Sequence, residues 1–240
     1  MWEMWGNMDK SHLTHSAKPT HLSHSTKLYM GCDVARFGKD FSVIAIIEDK
    51  TLIFLQRYKY KTGTNELMDT NDFADEILHE ANSRQIPAGN IAVDGVGLGA
   101  GTIDALKKAG LKVYEIQSGS AEVYTKDTQE YRFFNFKSQM WWVLREAIRK
   151  GDLQIGLPIE SDTAQKLLQD LTMPRYEIKC DKSIKVESKS DIKNRLGRST
   201  DYGDALVYAF WVKYFYNSKP KSNYSYLYKS PQNLYDVFYG

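Results

Sequence analysis

The chain has 240 residues, 42% of them apolar and 13% aromatic, and its formal net charge is +2. This size and apolar fraction suffice for one well-filled core, so one domain with appendages is the simplest organisation. No apolar run of membrane-spanning length and no signal peptide occur in the sequence, which predicts a soluble intracellular protein. The small net charge does not by itself indicate a nucleic-acid-binding protein. Cys32 and Cys180 have no partner at metal-ligand spacing, which indicates buried or half-buried thiols in a reducing compartment.

The two ends of the chain differ from its middle. Residues 1–26 lack hydrophobic periodicity and hold four of the five histidines, so we predict a flexible leader or linker. Residues 217–240 are rich in Tyr, Ser and Lys and predict a C-terminal tail. A single globular domain over residues 27–216 is expected between them.

The first half of the predicted domain begins with three strands, because short β-branched and aromatic runs between residues 28 and 60 are broken by RFGKD and EDK. A helix follows, with a cap at Asn71 or Asp72, and then the buried strand Ile91–Val93. Another helix, closed by Gly110, leads into a further strand. An antiparallel meander followed by parallel strand–helix units predicts an α/β fold with a mixed central sheet flanked by helices.

The second half is predicted to be mainly helical. A long helix ends at Gly151, and a second helix covers residues 162–171. Two short strands are expected around the Lys- and Arg-rich stretch from Arg175 to Arg198. The final helix, DYGDALVYAFWVKYF, is apolar on most sides, so we expect it to be buried.

Three aspartates lie where the predicted fold can bring them together. Asp33 and Asp94 end two strands, and the carboxyl ends of sheet strands are where α/β proteins place ligands. Asp204 lies in the first turn of the final helix, where Asp201 fits the simpler role of helix cap. Carboxylates without His or Cys suit hard cations such as Mg²⁺ or Mn²⁺. Two such ions can activate a water and stabilise a phosphate transition state, so we interpret the triad as a phosphodiester-hydrolysing centre.

Other interpretations of these residues stay open. The segment Gly95–Gly101 satisfies the G-x-G-x-x-G/A fingerprint of dinucleotide-binding proteins, with Glu115 about 20 residues further on. A charged Asp94 directly before the first glycine argues against a bound pyrophosphate. An actin-like or sugar-kinase-like ATPase would need a second phosphate loop, and no repeat is visible. A non-enzymatic DNA-binding module with purely structural acids is the remaining alternative.

Four stretches of the sequence resemble the C-terminal nuclease domain of the large terminase subunit of tailed bacteriophages. They are GCDVARFGKDFSVIAII, IAVDGVGLGAGTIDALKKAGLKVYEI, FNFKSQMWWVLREAIRKGDLQIGLP and VESKSDIKNRLGRSTDYGDALVYAFW, and together they span roughly residues 28–213. The resemblance implies a ribonuclease-H-like fold and an Mg²⁺- or Mn²⁺-dependent endonuclease, with two ions bound by Asp33, Asp94 and Asp204. A Holliday-junction resolvase, which has the same fold and acids, is the alternative within this class.

The resemblance also implies a biological setting. Nucleases of this family cut concatemeric viral DNA during genome packaging, which implies double-stranded DNA, a packaging ATPase, a small terminase subunit and a portal as partners. It places the protein in the cytoplasm of a bacterial host. The chain contains no G-x-x-x-x-G-K-[ST] motif, so we expect an isolated nuclease domain or a separately encoded nuclease half.

Several further residues are candidates for supporting roles. Lys189 matches a lysine that is frequent in the family, whereas Ser199-Thr200-Asp201 departs from the family's usual Ser-Pro-Asp. Asp201 and Lys189 could support the metal site, and Asp40 is expected to brace the first hairpin. Basic residues of the stretch up to Arg198 are candidates for contacts to the DNA backbone: Lys182, Lys185, Lys193, Arg195 and Arg198.

Overall fold

The structure of the chain is a computed structural model that describes residues 2–3, 27–35, 41–61, 63–120 and 132–217. Its strands are β1 (Trp2–Glu3), β2 (Leu28–Asp33), β3 (Ser42–Glu48), β4 (Thr51–Tyr58), β5 (Ile91–Asp94), β6 (Tyr114–Ile116), β7 (Arg132–Phe133), β8 (Gln154–Ile155), β9 (Arg175–Ile178) and β10 (Ser183–Val186). Its α-helices are α1 (Thr70–Ser83), α2 (Gly99–Lys108), α3 (Phe136–Arg149), α4 (Asp162–Thr172), α5 (Lys189–Leu196) and α6 (Asp201–Asn217). No described helix has the length and apolar character needed to cross a membrane.

The central sheet has six strands in the order β6–β5–β2–β3–β4–β8. The meander β2–β3–β4 is antiparallel, β5 and β6 run parallel to β2, and β8 runs parallel to β4. The predicted mixed sheet is therefore confirmed. Strand β3 is buried along nearly its whole length because helices cover both faces of the sheet.

Helix α6 packs across one face of the sheet, together with α3 and α4, and α1 and α2 cover the other face. As its sequence predicts, α6 is buried along most of its length. The helix approaches β2 so closely at Gly31 that a Cβ there would collide with the backbone of Ala205 and Ala209. A glycine in β2 is thus required for the contact that carries α6 to the strand ends.

A second, smaller sheet has the order β1–β9–β10–β7. Strands β9 and β10 form the hairpin that was predicted around the basic stretch, and β7 runs parallel to β10. Phe133, Trp142 and Ile184 form a small cluster that joins this sheet to α3. The hairpin leads directly into α5, which brings the second sheet next to the carboxyl edge of β2.

Some details differ from the predictions. The cap of α1 is Asp69, and neither Asn71 nor Asp72 has that role. The Asp69 side chain accepts hydrogen bonds from the N–H groups of Asn71 and Asp72. The Asp69 N–H in turn donates to the Asp72 side chain, which completes a capping box. Helix α6 begins at Asp201, so Asp201 is its first residue and not its cap. Cys32 is buried as expected, whereas Cys180 is exposed.

The predicted leader and tail lie mostly outside the described residues. Of residues 1–26, the structure describes only Trp2–Glu3, which pair with Tyr176 and Arg175 at the edge of the second sheet. Helix α6 continues through Asn217, and residues 218–240 lie outside the description. The boundaries of the leader, domain and tail stay a prediction.

Candidate functional site

Asp33 and Asp94 lie side by side at one edge of the central sheet. The parallel pairing of β2 with β5 aligns Cys32 with Val93, so the next residue of each strand is an aspartate. Asp33 is only 1% exposed. The Asp94 carboxylate is partly buried and accepts a hydrogen bond from the Val96 N–H at 3.1 Å. The predicted position of both acids at the carboxyl edge is confirmed.

Asp204 reaches the same region from the first turn of α6. Its carboxylate is buried and accepts hydrogen bonds from the Thr200 hydroxyl at 3.0 Å and from the Trp141 indole N–H at 3.2 Å. A buried carboxylate requires such partners because its desolvation is costly. The two donors, one from α3 and one from the residue before α6, fix the orientation of Asp204.

The ammonium group of Lys189 lies among the carboxylates of Asp33, Asp201 and Asp204. Its Nζ lies 3.1 Å from Asp33 Oδ2, 3.1 Å from Asp204 Oδ2 and 3.4 Å from Asp201 Oδ1. Lys189 is the first residue of α5, whose N-terminus is capped by the Ser188 hydroxyl. The fold thus places the Lys189 ammonium among carboxylates from β2 and α6. Asp201, the first residue of α6, is one of these carboxylates.

The pKa values follow from this arrangement. Burial raises the pKa of Asp33 well above its ordinary value, and repulsion from Asp201 and Asp204 acts in the same direction against the attraction of Lys189. Burial also acts to raise the pKa of Asp204, but Lys189, Lys137 and the Thr200 hydroxyl outweigh it and hold that pKa below its ordinary value. Burial alone would lower the pKa of Lys189, yet the surrounding carboxylates raise it. The positive charge of Lys189 and the carboxylates around it therefore stabilise each other.

Lys137 is a second lysine at the site that was not predicted from the sequence. It lies in the first turn of α3, and its Nζ donates a hydrogen bond to the Glu187 carbonyl at 3.0 Å. Burial lowers its pKa, and the charge of Asp204 opposes that effect. The available signal was its spacing from Trp141: positions four apart share a helix face, and Trp141 lies on the buried face of α3.

The donor chemistry of the cluster suits a hard divalent cation, since every acidic ligand offers oxygen. In the described parts of the chain, however, no group of three His, Cys, Asp or Glu side chains is arranged to hold a metal ion. The Lys189 ammonium takes up the space between three of the carboxylates, and Asp94 is bonded to the Val96 N–H. These residues fit a metal chemically, and the Lys189 ammonium supplies the positive charge among them in its absence.

The glycine-rich segment after Asp94 has a packing role in the structure. A Cβ at Gly99 would collide with the Asp94 carbonyl, so the chain turns back on the strand end before α2 begins. A Cβ at Gly95 would meet the Glu115 side chain from β6. Of the two fingerprint glycines, Gly95 is thus required by packing, and Gly97 has a positive φ of 70°, which favours glycine in a turn. Asp40, the remaining predicted supporting acid, lies outside the described residues.

The predicted DNA-contacting residues fall into two groups. Lys182 is exposed in the β9–β10 turn, Lys185 lies on β10 and Lys193 is exposed on α5. The guanidinium group of Arg195, in contrast, pairs with Glu187 at 2.6 Å and donates to the Met173 carbonyl.

Arg198 likewise has internal partners. It pairs with the buried Asp170 at 2.5 Å, and Asp170 also accepts a hydrogen bond from the Gly203 N–H of α6. Burial raises the pKa of Asp170 to about 7, against the attraction of Arg198. Arg195 and Arg198 therefore have internal partners that brace the fold, and their contact with DNA stays a prediction.

Comparison with known proteins places this geometry in context. No family model matches the chain. Among curated proteins, 184 residues are 26% identical to the probable large terminase subunit of Enterobacteria phage P7. That match covers 74% of this chain and 35% of the phage protein, so the chain spans about a third of the length of this relative.

Solved structures show the same fold. The nuclease domain of the large terminase subunit gp2 of bacterial virus Sf6 superposes with a TM-score of 0.61 at 18% identity, covering 76% of this chain and 87% of that domain. The large terminase nuclease of thermophilic phage G20c, solved with bound magnesium, superposes with a TM-score of 0.57 at 13% identity, covering 88% and 97%. The chain therefore has the ribonuclease-H-like fold of phage large-terminase nuclease domains, and the resemblance found in its sequence is confirmed.

Proposed function

We propose that the chain is a metal-dependent DNA endonuclease that cuts concatemeric viral DNA during genome packaging. The observation that supports this most is the convergence of Asp33, Asp201 and Asp204 on the ammonium group of Lys189 at the carboxyl edge of the sheet. Asp94 lies beside them on the neighbouring strand. The terminase relatives supply the biological setting, and solved terminase nucleases contain manganese, magnesium, cobalt or calcium.

The residues of the chain have distinct roles in this proposal. Asp33, Asp94 and Asp204 would hold the ions, of which we propose two, either Mg²⁺ or Mn²⁺. A bound ion supplies an activated water and neutralises charge on the phosphate. Trp141 and Thr200 keep the Asp204 carboxylate oriented toward the cluster. With the acids bound to metal, Lys189 is free to attract the scissile phosphate, and Lys137 adds a second positive charge nearby.

The substrate and partners follow from the same proposal. Double-stranded DNA would lie along the edge of the second sheet and α5, where Lys182, Lys185 and Lys193 contact its backbone. Such contacts position the duplex without specifying its sequence. We propose a packaging ATPase, a small terminase subunit and a portal as partners, in the cytoplasm of a bacterial host.

Metal removal tests the proposal directly. Purified protein is expected to nick and linearise supercoiled plasmid in 5–10 mM Mg²⁺ or Mn²⁺, at roughly the concentrations that weakly held divalent ions require, and to lose this activity in EDTA. Gel electrophoresis separates the nicked and linear plasmid from the supercoiled substrate. Cleavage that is unaffected by EDTA would contradict a metal centre. Preferential cutting of four-way junctions over linear duplex would support the resolvase alternative instead.

Replacing Lys189 by alanine tests whether its ammonium stands in for a metal. Without metal, the variant leaves Asp33, Asp201 and Asp204 without the ammonium group that pairs with all three. Since the Lys189 side chain is 40% exposed, we expect a loss of about 2 kcal/mol, below the usual cost of breaking a buried pair. Thermal unfolding in EDTA should show a Tm lower by roughly 4–8 °C.

Manganese provides the second half of this test. Because the ion can occupy the position that the ammonium has left, Mn²⁺ should raise the Tm of Lys189→Ala more than that of the wild-type protein. Lys107→Ala is a suitable control, since Lys107 forms only an exposed pair with Asp104 at 3.8 Å. Equal Tm values for Lys189→Ala and Lys107→Ala in EDTA would contradict the stand-in role.

A further inference from the structure

The outer face of the second sheet carries an aromatic ring that the fold does not bury. Phe134 follows β7, and its side chain is 49% exposed, although its N–H donates a hydrogen bond to the Ile184 carbonyl. The preceding Phe133 points to the opposite side, into the cluster with Trp142 and Ile184. Folding therefore uses one phenylalanine of this pair and leaves the other at the surface.

Two lysines lie next to the exposed ring. The ammonium of Lys185, on β10, lies over the Phe134 ring at 5.1 Å from its centroid, and that of Lys179 lies over it at 6.0 Å, so both form cation–π contacts. Both lysines share Glu177 as an ion-pair partner, at 2.8 Å for Lys179 and 3.5 Å for Lys185. Exposed Arg132 and Lys182 lie on the same small sheet and its turn, so positive charge predominates. We call Phe134, Lys179 and Lys185 the ring–lysine surface.

This combination of groups indicates the kind of ligand that fits. Proteins that bind single-stranded nucleic acid combine basic side chains that follow the backbone with aromatic rings on which bases stack. A base can stack on this ring when an ammonium group moves from the ring face to the phosphate attached to that base. Protein interfaces, in contrast, have few lysines at their centres. The chemistry of the ring–lysine surface therefore favours DNA over a protein partner.

The ring–lysine surface is also close to the carboxylate cluster along two segments of chain. Lys185 is four residues before Lys189, and Phe134 is three residues before Lys137. Four residues span at most about 14 Å, which is about four nucleotide steps along one strand of duplex DNA. A DNA strand with its phosphate at the carboxylate cluster can therefore reach the ring with a nucleotide close to the cleavage point.

We propose that Phe134 stacks against an unpaired base of the DNA substrate while Lys179 and Lys185 bind the neighbouring phosphates. The inference rests on the proposed nuclease function and narrows its substrate class. Paired bases inside a duplex expose no face for stacking, so the nuclease would prefer DNA that is frayed, nicked or single-stranded near the cleavage point. Duplex DNA without unpaired bases would use only the lysines.

Binding measured without metal tests this inference separately from cleavage. Fluorescence anisotropy in EDTA, with labelled 20-nucleotide oligo(dT) and a blunt 20-base-pair duplex, compares wild type with Phe134→Leu and Phe134→Tyr. Stacking on one base is expected to make Phe134→Leu bind oligo(dT) between about fivefold and a hundredfold more weakly. Phe134→Tyr keeps an aromatic ring and should bind like wild type. Affinity for the blunt duplex should change less than twofold in both variants.

Controls distinguish the possible outcomes. Lys185→Ala should weaken the binding of both DNAs, whereas Lys108→Ala, at the exposed C-terminal end of α2, should weaken neither. Equal oligo(dT) affinity of wild type and Phe134→Leu would overturn the stacking role. A wild-type protein that cleaves DNA with Mn²⁺ but binds oligo(dT) and the blunt duplex equally well would overturn it too. The expected binding pattern without any cleavage would support the ring–lysine surface and count against the proposed nuclease.

Discussion

Asp33→Asn is expected to reduce metal-dependent plasmid cleavage by at least about a thousandfold while leaving the protein folded. The substitution keeps the size of the side chain but removes the charge that faces Lys189 and would face a metal ion. Because burial makes ionisation of Asp33 costly, and because Lys189 keeps Asp201 and Asp204 as partners, loss of that charge should change the free energy of unfolding by no more than about 1 kcal/mol. Activity and stability are thus expected to separate.

Two measurements on the same preparation check this separation. Initial rates of plasmid nicking in Mn²⁺ give the activity, and thermal unfolding in EDTA gives the stability. Asp152→Asn is the matched control, since Asp152 forms only an exposed pair with Lys50 at 3.5 Å, and its activity should equal that of wild type. Cleavage that survives in purified Asp33→Asn would remove Asp33 from the proposed centre.

Among the variants proposed, Gly31→Ala is expected to show the largest decrease in the free energy of unfolding. The new methyl group would collide with the carbonyl of Ala205 and the N–H of Ala209, which are backbone atoms of α6 and cannot rotate away. The helix must shift from β2, or the strand must distort, at a cost of at least about 3 kcal/mol. Since α6 carries Asp201 and Asp204, and β2 carries Asp33, cleavage should decrease together with stability.

Thermal and urea unfolding measure this effect. For a domain of this size, the expected cost corresponds to a Tm lower by roughly 6–12 °C. Gly119→Ala is the control, because a Cβ at Gly119 meets nothing within 4 Å and should change the Tm by less than about 2 °C. If the two variants unfolded alike, the close approach of α6 to β2 would not be needed for stability.

The sheet and its two strand-end acids were predictable because they follow from local patterns. Short apolar runs define β2 and β3, and the position of Asp33 and Asp94 depends only on where each strand ends. The parallel register that aligns Cys32 with Val93 then brings the acids together. Helix α6 was equally clear, since its apolar character is continuous along the sequence.

The lysine at the centre of the carboxylate cluster was harder to predict from the sequence. The contact of Lys189 with Asp33 joins residues 156 positions apart, and no local pattern distinguishes Lys189 from other lysines of the basic stretch. The internal partners of Arg195 and Arg198 were not predictable for the same reason, because acceptors such as Asp170 come from distant segments. Helix α5 and the two-residue strands β7 and β8 depend on tertiary pairing and carry little signal of their own.

At the proposed metal site, the Lys189 ammonium already acts as counter-ion to the acids, so binding of a divalent ion would exchange one cation for another. The affinity for the ion would then be the difference between two binding free energies, and it would be weaker than three bare carboxylates would give. Because Lys189 begins α5, this difference would depend on where that helix sits, and a partner that moves α5 would change how readily the proposed site binds metal.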